Sequence, residues 1–346
     1  MRFRPLAAAM DRAGLESTAK SLVADRRGIL AADESTSTIT KRFEAVGAVS
    51  TETHRRDYRH LLFTAPGMAS VVSGVILYDE TLRQSAPDGT PLPSLLARQG
   101  VLPGIKVDTG AKDLVGFPGE KVTEGLDGLR ERLAEYAKLG ARFTKWRAVI
   151  AVGPGIPTDA CIEANAEALA RYAALAQEAG LVPIVEPEVL MDGDNTLEVC
   201  EAASGRALQA VFARLALHRV HLPGILLKPN MVIAGKKCPN QAPPQEVAER
   251  TVRLLKRHVP AAVPGIAFLS GGQTPEQATE HLRLMNRMGP HPWRLSFSYG
   301  RALQDPALKA WAGKPANAKA AQEAFLRLAR ANSAACEGKT LAEIKV

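Results

Sequence analysis

The amino-acid sequence predicts a closed barrel of eight parallel β-strands surrounded by α-helices, the (β/α)8 or TIM-barrel architecture. Eight short apolar segments typical of buried strands are spread along the 346 residues, and amphipathic segments separate most of them. Strands that alternate with helices are typical of a parallel sheet, and eight such units favour a closed barrel over an open sheet. The segments span residues 28 to 300, slightly more than the roughly 250 residues typical of one barrel.

The strand segments can be assigned one by one along the chain. In order they are 28–35 (GILAADES), 70–79 (SVVSGVILYD), 101–108 (VLPGIKVD), 142–150 (RFTKWRAVI), 181–189 (LVPIVEPEV), 222–230 (LPGILLKPN), 265–272 (GIAFLSGG) and 294–300 (RLSFSYG). The clearest helical segments between them are 126–140, 159–180 and 246–259. The first two of these end in a glycine, which is typical of a helix C-terminus.

No linker or low-complexity stretch divides the chain, so residues 1–346 are predicted to form a single domain. The barrel covers about 28–300, with helical extensions before it and over 301–346 after it. Residues 1–16 (MRFRPLAAAMDRAGLE) are interpreted as the lead-in to a first helix, with a targeting peptide as the alternative.

Composition limits the class of protein. Hydrophobic residues make up 46% and charged residues 23% of the chain, which indicates a globular protein rather than a disordered one. No apolar run reaches the roughly 18 residues of a membrane-spanning helix, so no membrane association is expected. The four cysteines lie far apart without a C-x-x-C pair, which favours reduced thiols and a cytoplasmic location.

The charge balance points to the chemistry of the ligand. The net charge of +8 is read either as a solvated basic surface or as attraction of an anionic substrate such as a sugar phosphate. No basic stripe interleaved with aromatic residues is present, so nucleic acid is not expected as a partner. His218 and His221 have no acidic or cysteine residue close by in sequence, so no metal site is predicted.

Polar residues gather at the carboxyl ends of the predicted strands, where barrels of this kind form their active sites. The set comprises Asp33 and Glu34, Lys106 and Asp108, Lys145 and Arg147, Glu186 and Glu188, Lys228, Ser270, Ser298 and Arg301. Side chains at i and i+2 of a strand share one face, so Lys145 and Arg147 point the same way, as do Glu186 and Glu188. A buried network of ion pairs is the structural alternative, but such pairs stabilise proteins weakly, and a bound substrate explains them better.

Lys228 follows the apolar residues 224–227 directly. Taken alone, it would be interpreted as a rim residue with its ammonium group in water. In a barrel of low dielectric constant and near another cation such as Lys145, its pKa would be depressed. A partly neutral lysine can attack a ketone and form a Schiff base, so together with the carboxylates we predict that Lys228 is a nucleophile.

Two glycine-containing segments resemble phosphate-binding loops. Ser270, Gly271 and Gly272 precede a helix signal at 274–276, and Ser298, Gly300 and Arg301 precede another helical segment. Backbone N–H groups at glycine turns and helix N-termini bind phosphate, and the loops after strands seven and eight are the frequent phosphate site of this architecture. A plain turn is the alternative reading of each glycine pair.

Together these motifs resemble those of class I fructose-bisphosphate aldolase, the metal-free Schiff-base type. The matching stretches are GILAADEST, GVILYDETLRQ, GIKVDTG, FTKWRAV, PIVEPEVL, GILLKPNMV, FLSGGQ, SFSYGRALQ and, near the end, ARANSAACEGK. The resemblance implies reversible cleavage of fructose 1,6-bisphosphate to dihydroxyacetone phosphate and glyceraldehyde 3-phosphate, in glycolysis and gluconeogenesis. It implies no cofactor and no metal, with sugar bisphosphate and triose phosphates as ligands. A homotetramer is also implied by the resemblance alone.

The resemblance also implies a role for each matching residue. Lys228 forms the Schiff base, Glu186 shuttles protons with support from Glu188, Asp33 acts on the C4 hydroxyl, and Lys145 supplies positive charge with Arg147 nearby. The phosphate on the ketone side of the substrate is held by the two loops described above. The residues implied for the aldehyde-side phosphate are Ser35, Thr38, Arg42 and Lys106. Because carboxylates placed close together push one pKa up, one of Glu186 and Glu188 is expected to act as an acid.

Two features depart from the family pattern. Ser37-Thr38 stands where the family usually has Gly-Ser, and the hydroxyl of Thr38 keeps a phosphate contact feasible. Residues 339–346 (KTLAEIKV) lack the terminal tyrosine of the animal enzymes, so activity is predicted but the group that protonates the enamine is left open. If Glu186 or water serves, proton exchange is expected to limit turnover. The alternatives are another Schiff-base barrel lyase or transaldolase, a metal-dependent aldolase, and a non-catalytic scaffold or nucleic-acid-binding protein.

Overall fold

The computed structural model describes residues 10–344, and its central feature is the predicted closed barrel. The strands of the chain are β1 (Gly28–Ala32), β2 (Val72–Leu77), β3 (Leu102–Lys106), β4 (Gly110–Asp113), β5 (Lys121–Glu124), β6 (Phe143–Ile150), β7 (Val182–Val189), β8 (Leu226–Leu227), β9 (Gly265–Phe268) and β10 (Arg294–Tyr299). Around the barrel the order is β1, β2, β3, β6, β7, β8, β9 and β10, which closes on β1. All of these neighbours pair in parallel, so the predicted fold class is confirmed.

The helices surround the strands in the alternation that the sequence predicts. They are α1 (Arg12–Leu22), α2 (Thr36–Glu44), α3 (Glu52–Phe63), α4 (Asp79–Arg83), α5 (Leu92–Arg98), α6 (Leu129–Lys138), α7 (Asp159–Glu178), α8 (Leu197–Leu217), α9 (Pro244–His258), α10 (Pro275–Arg287), α11 (Arg301–Trp311) and α12 (Ala318–Ala335). The predicted helical segments 126–140, 159–180 and 246–259 correspond to α6, α7 and α9. The predicted extensions are α1 before the barrel and α12 after α11, and Lys345 and Val346 lie outside the described residues.

Helix α1 closes one end of the barrel. Its buried residues Leu15, Ala19 and Leu22 form one apolar cluster with side chains of the barrel strands, among them Ile29 and Phe143. Residues 1–9, which carry most of the predicted lead-in and its targeting-peptide alternative, lie outside the described residues. Within 10–344 no helix is both long and apolar enough to cross a membrane.

Two parts of the sheet differ from the prediction. The antiparallel hairpin of β4 and β5 between β3 and β6 was not predicted, because residues 110–113 are largely polar and lack an apolar face. The sixth barrel strand was predicted over 222–230, but β8 holds only Leu226 and Leu227. Pro223 lies in a short 3-10 turn before it and Pro229 follows Lys228, and a proline cannot donate a hydrogen bond to a neighbouring strand.

Candidate active site

Four predicted residues form a continuous chain of alternating charge at the carboxyl end of the barrel. Asp33 Oδ2 lies 2.7 Å from Lys145 Nζ, and Lys145 Nζ lies 3.2 Å from Glu186 Oε2. The other carboxylate oxygen, Glu186 Oε1, lies 3.2 Å from Lys228 Nζ. Asp33 and Lys228 directly follow β1 and β8, whereas Lys145 and Glu186 lie within β6 and β7, so barrel closure brings together groups that are far apart in sequence.

The charges in this chain stabilise one another. Burial alone would raise the pKa of Asp33, but the charges of Lys145, Lys228 and Lys106 outweigh burial and hold it below the ordinary value. Burial likewise opposes the charge of Lys145, yet the carboxylates of Asp33 and Glu186 raise its pKa. In the unliganded protein Lys145 is therefore an ammonium group between two carboxylates.

The sequence-based expectation was a raised pKa for one of Glu186 and Glu188, and for Glu186 the fold gives the opposite direction. Burial would raise its pKa, but Lys145, Lys228 and Arg147 lower it below the ordinary value. The sequence argument considered only the neighbouring Glu188, whereas in the fold a lysine faces each oxygen of Glu186. The two lysines thus share one carboxylate, and Glu186 is ionised before substrate binds.

Arg147 and Glu188 form a second pair, two residues beyond Lys145 on β6 and Glu186 on β7. Arg147 Nε donates to Glu188 Oε2, which gives Glu188 a cationic partner of its own. The Arg147 side chain is 43% exposed, whereas Glu188 is buried. Lys106 Nζ lies 3.5 Å from Asp108 Oδ1, and Asp108 Oδ2 accepts a hydrogen bond from the backbone N–H of Arg147. Asp108 therefore connects the ends of β3 and β6.

The backbone of Lys228 is fixed by the strands on either side. Its N–H donates to the carbonyl oxygen of Val185 at 2.8 Å, and the carbonyl of Pro229 accepts from Leu269 N. Asn230 then accepts from Val189 N at 3.0 Å and donates to Ser204 Oγ. Pro229 cannot donate to the hydrogen-bond ladder between strands, and these bonds take its place. They hold Lys228 directly after β8.

The two predicted phosphate loops differ in how their helices begin. Helix α10 after the 270–272 loop has a capping box, in which Thr274 and Gln277 bond each other's backbone N–H groups. Two backbone N–H groups at the start of α10 are thus already hydrogen-bonded by side chains, so an anion would be bound by the loop before the helix. Helix α11 begins after Gly300 without a side-chain cap, and Arg301 is its exposed first residue. Its first N–H groups are therefore suited to an anion.

Other predicted residues of these loops face the barrel. A side chain at Gly271 would come within 3.2 Å of Glu188 Oε1, so this backbone passes close to the catalytic carboxylates. Gly272 has a φ of 79°, a conformation that favours glycine. Ser298 is buried on β10, and its Oγ has no hydrogen-bond partner within 10–344.

The residues predicted for the other phosphate lie on and beside α2. Ser35 caps this helix, and its Oγ lies 3.0 Å from Thr38 Oγ1. Arg42, one turn further on, donates from Nη1 to Glu34 Oε1 at 2.5 Å, so it has an acidic partner in the unliganded protein. Lys106 at the end of β3 is close enough to lower the pKa of Asp33.

Glu34 was predicted only as one of the polar residues at the strand ends, without a role, and Arg59, Gln304 and Asn230, which also organise the site, were not predicted as site residues. Glu34 is buried and pairs with Arg42, and Gln304 of α11 and Arg59 of α3 also hold it. Asn230 anchors the lysine segment. In the sequence Arg59 lies within a charged helix, and nothing local marks it as buried. Asn230, directly after Lys228-Pro229, is the one residue whose position offered a signal.

No group of three or more His, Cys, Asp or Glu residues is arranged to hold a metal ion within 10–344. His218 and His221 each pair with a single, different carboxylate, Glu167 and Glu16. The two histidines are therefore engaged in separate ion pairs.

Comparison with known proteins agrees with this geometry. Residues 14–345 match the family model described as fructose-bisphosphate aldolase class-I. A probable fructose-bisphosphate aldolase class 1 from Xanthomonas campestris pv. campestris is 56% identical, over 94% of this chain and 98% of that protein. The cytosolic fructose-bisphosphate aldolase 6 of Arabidopsis thaliana is 52% identical, over 92% of this chain and 89% of that protein.

A solved structure of fructose-bisphosphate aldolase from Plasmodium falciparum superposes with a TM-score of 0.93 at 48% identity and covers 95% of each chain. The family match covers nearly the whole sequence, and the relatives match along nearly their full length. The chain belongs to the class I fructose-bisphosphate aldolase family.

Proposed function

We propose that this aldolase cleaves fructose 1,6-bisphosphate through a Schiff base on Lys228, with the alternating chain of Asp33, Lys145, Glu186 and Lys228 as its catalytic centre. The observation that carries the proposal is the position of Glu186 between the side-chain nitrogens of Lys145 and Lys228, 3.2 Å from each.

The proposed reaction begins with a proton transfer. Glu186 accepts the proton that Lys228 must lose, and the free amine attacks the C2 ketone to give a carbinolamine. Glu186 then returns the proton to the C2 hydroxyl, which leaves as water, and an iminium remains on Lys228. Because Glu186 is ionised in the unliganded protein, it begins the cycle as a base.

Cleavage follows from the iminium. Asp33 removes the proton of the C4 hydroxyl, the C3–C4 bond breaks, and its electron pair moves into the iminium to form an enamine. Glyceraldehyde 3-phosphate leaves. Protonation of the enamine at C3 and hydrolysis of the restored iminium release dihydroxyacetone phosphate and free Lys228. Lys145 supports this step because its positive charge stabilises the ionised form of Asp33.

The two phosphates of the substrate would bind on opposite sides of the carboxyl end of the barrel. Ser270, Gly271, Gly272, Ser298, Gly300 and Arg301 would bind the ketone-side phosphate, and Ser35, Thr38, Arg42 and Lys106 would bind the aldehyde-side phosphate. Arg147 would bind substrate near Lys145. The uncapped start of α11 and the unpartnered hydroxyl of Ser298 support the first set. The hydroxyl cluster at the start of α2 supports the second.

The remaining proposals concern the whole protein. We propose that residues 1–346 form one catalytic domain and assemble as a cytoplasmic homotetramer that binds no nucleic acid. The cytosolic Arabidopsis relative supports the location, and the family resemblance supports the assembly. Sedimentation in buffer tests the oligomeric state directly.

Borohydride reduction in the presence of dihydroxyacetone phosphate and EDTA tests the mechanism. The expected result is a stable triose phosphate adduct, which peptide mass mapping locates on Lys228. Lys145→Met should reduce the rate of trapping yet leave the adduct on the same residue, whereas Lys228→Met should form none. An adduct on another lysine, or activity that EDTA abolishes, would overturn the proposal.

A further inference from the structure

Arg59 of α3 is a buried arginine next to the carboxyl end of β1. Its side chain is 1% exposed, and Nη2 donates to the backbone carbonyl oxygen of Glu34 at 2.7 Å. The same nitrogen lies 3.8 Å from Glu34 Oε2, and Nη1 lies 3.7 Å from Glu80 Oε1. Arg59 thus contacts both the main chain and the carboxylate of the residue that follows Asp33.

Stability alone does not account for this arginine. Nε and Nη1 of Arg59 have no hydrogen-bond partner within 10–344, although both atoms are buried. A buried guanidinium with unmet donors costs desolvation energy, and buried ion pairs stabilise proteins weakly. A role in positioning Glu34 explains why the guanidinium of Arg59 is buried next to this residue.

Glu34 connects Arg59 to the proposed phosphate site. Its Oε1 accepts from Arg42 Nη1 at 2.5 Å and from Gln304 Nε2 at 2.8 Å. Arg42, at 2.5 Å, is the closest cation to this buried carboxylate, and Arg59, at 3.8 Å, is the second. Without Arg59, Arg42 would be the only cation within salt-bridge distance of Glu34 among residues 10–344. A substrate phosphate would then have to compete with Glu34 for Arg42. With Arg59 present, Glu34 still has the guanidinium of Arg59 and the amide N–H of Gln304 as partners when Arg42 binds the phosphate.

The helices that carry these side chains are packed into a rigid frame. Phe43, Tyr58 and Trp311 form a cluster with ring centroids 5.1 to 5.6 Å apart. Phe43 follows Arg42 on α2, Tyr58 precedes Arg59 on α3, and Trp311 lies on the same helix as Gln304. The cluster therefore fixes the distance between the three elements that meet at Glu34.

We infer that Arg59 is a positioning residue which, through Glu34, presents Arg42 to the aldehyde-side phosphate and so favours bisphosphate over monophosphate substrates. The inference rests on the proposed function, in which Arg42 binds that phosphate. Fructose 1-phosphate lacks the aldehyde-side phosphate and keeps every other reacting group. The ratio of kcat/KM for fructose 1,6-bisphosphate to kcat/KM for fructose 1-phosphate therefore measures the contacts to the aldehyde-side phosphate together, and the change in this ratio in Arg42→Ala measures the part that Arg42 contributes.

The test compares Arg59→Met, Arg42→Ala and the double variant. Arg59→Met is expected to lower the ratio about tenfold, the effect of one charge-assisted hydrogen bond. Arg42→Ala should lower it at least as much, and Arg59→Met should change it no further in that background, because its effect passes through Arg42. Arg59→Lys, which keeps the charge, should restore part of the ratio.

Arg55→Met is the matched control. Arg55 lies one turn earlier on α3 and pairs with Glu80 and with Ser50 rather than with Glu34. This control should lower the melting temperature and leave the ratio unchanged. If Arg59→Met does not fold, Gln304→Met removes another donor to Glu34 and should lower the ratio about threefold.

Equal losses on both substrates in Arg59→Met, or a ratio effect that persists in the Arg42→Ala background, would overturn the inference and leave the proposed function intact. An unchanged ratio in Arg42→Ala would remove the proposed role of Arg42 and the inference with it. Failure of the unaltered protein to cleave either substrate would overturn the proposed function itself.

Discussion

At the scale of single residues, the central feature is the carboxylate of Glu186 with a lysine at each oxygen. The arrangement separates two tasks that one lysine could not perform. Lys145 remains charged, because Asp33 and Glu186 raise its pKa, and it serves as a fixed cation. Glu186 is the one carboxylate within salt-bridge range of Lys228 among the described residues, so in the proposed reaction it is the single carboxylate acceptor near the lysine.

Replacement of Glu186 by glutamine should remove this proton transfer with little change in shape. We expect kcat to fall by at least about 100-fold, as for the loss of a general acid–base group. KM should change less, because Glu186 is not among the proposed phosphate ligands. Steady-state kinetics and the rate of borohydride trapping both report the loss.

Glu120→Gln is a suitable control for Glu186→Gln. Glu120 is also buried, but its carboxylate accepts hydrogen bonds from Thr158 outside the barrel mouth. This variant should lose stability and retain kcat. A Glu186→Gln enzyme with unchanged kcat would contradict the assignment of the proton shuttle.

The lowered pKa of Asp33 makes a prediction for acid stability. Because its folded-state pKa lies below the unfolded value, the unfolded chain binds a proton between about pH 4 and pH 3 that the folded protein does not. The resulting stability is present above this interval and is lost as the pH falls. For one proton the loss is about 1.4 kcal/mol per pH unit.

Asp33→Asn should therefore show a shallower decrease in unfolding free energy over the same interval. Urea unfolding at pH 4 and pH 3, at one protein concentration, measures the difference. Asp25→Asn provides the comparison, because Asp25 is exposed and forms only a surface pair with Arg294. Equal slopes for all three proteins would show that Asp33 is not stabilised in its charged form.

At the scale of elements, the loop of residues 270–272 has little freedom to change. Gly272 has a φ of 79°, and a side chain there would come within 2.2 Å of Met191 Cγ. We expect Gly272→Ala to displace the loop and to raise KM for the bisphosphate at least about tenfold, the loss of one phosphate contact. Gly89→Ala, with a φ of 84° and open space around it, should cost about 1 kcal/mol of stability without changing KM.

The sequence predicted which side chains meet in the barrel better than it predicted every element between the strands. Lys228 directly follows a barrel strand, and Lys145 and Glu186 lie within strands whose alternation points them to one face, so all three could be predicted. The β4–β5 hairpin could not be predicted, because residues 110–113 are largely polar and show no apolar alternation. Arg59 was missed for a related reason: its burial depends on the packing of α3 against β1 and α11, which no local pattern encodes.

At the scale of the whole molecule, barrel closure brings side chains from four separate strand segments into one cluster. The net charge of +8 acts on that site from a distance, because a basic protein attracts an anionic substrate before any contact forms. Buried pairs such as Lys145 and Asp33 are little affected by salt, whereas exposed charges such as Arg301 are screened beyond about 8 Å at physiological ionic strength.

This difference predicts how activity depends on salt. Between low and physiological ionic strength, kcat/KM for fructose 1,6-bisphosphate should fall at least about threefold, because screening weakens the long-range attraction and the exposed phosphate contacts. For fructose 1-phosphate, which carries fewer charges, the slope of log kcat/KM against ionic strength should be smaller. Chloride and acetate at equal ionic strength separate screening from competition by a particular anion. Equal slopes for the two substrates would show that the basic surface does not contribute to substrate capture, and the excess of positive charge would then need a different explanation.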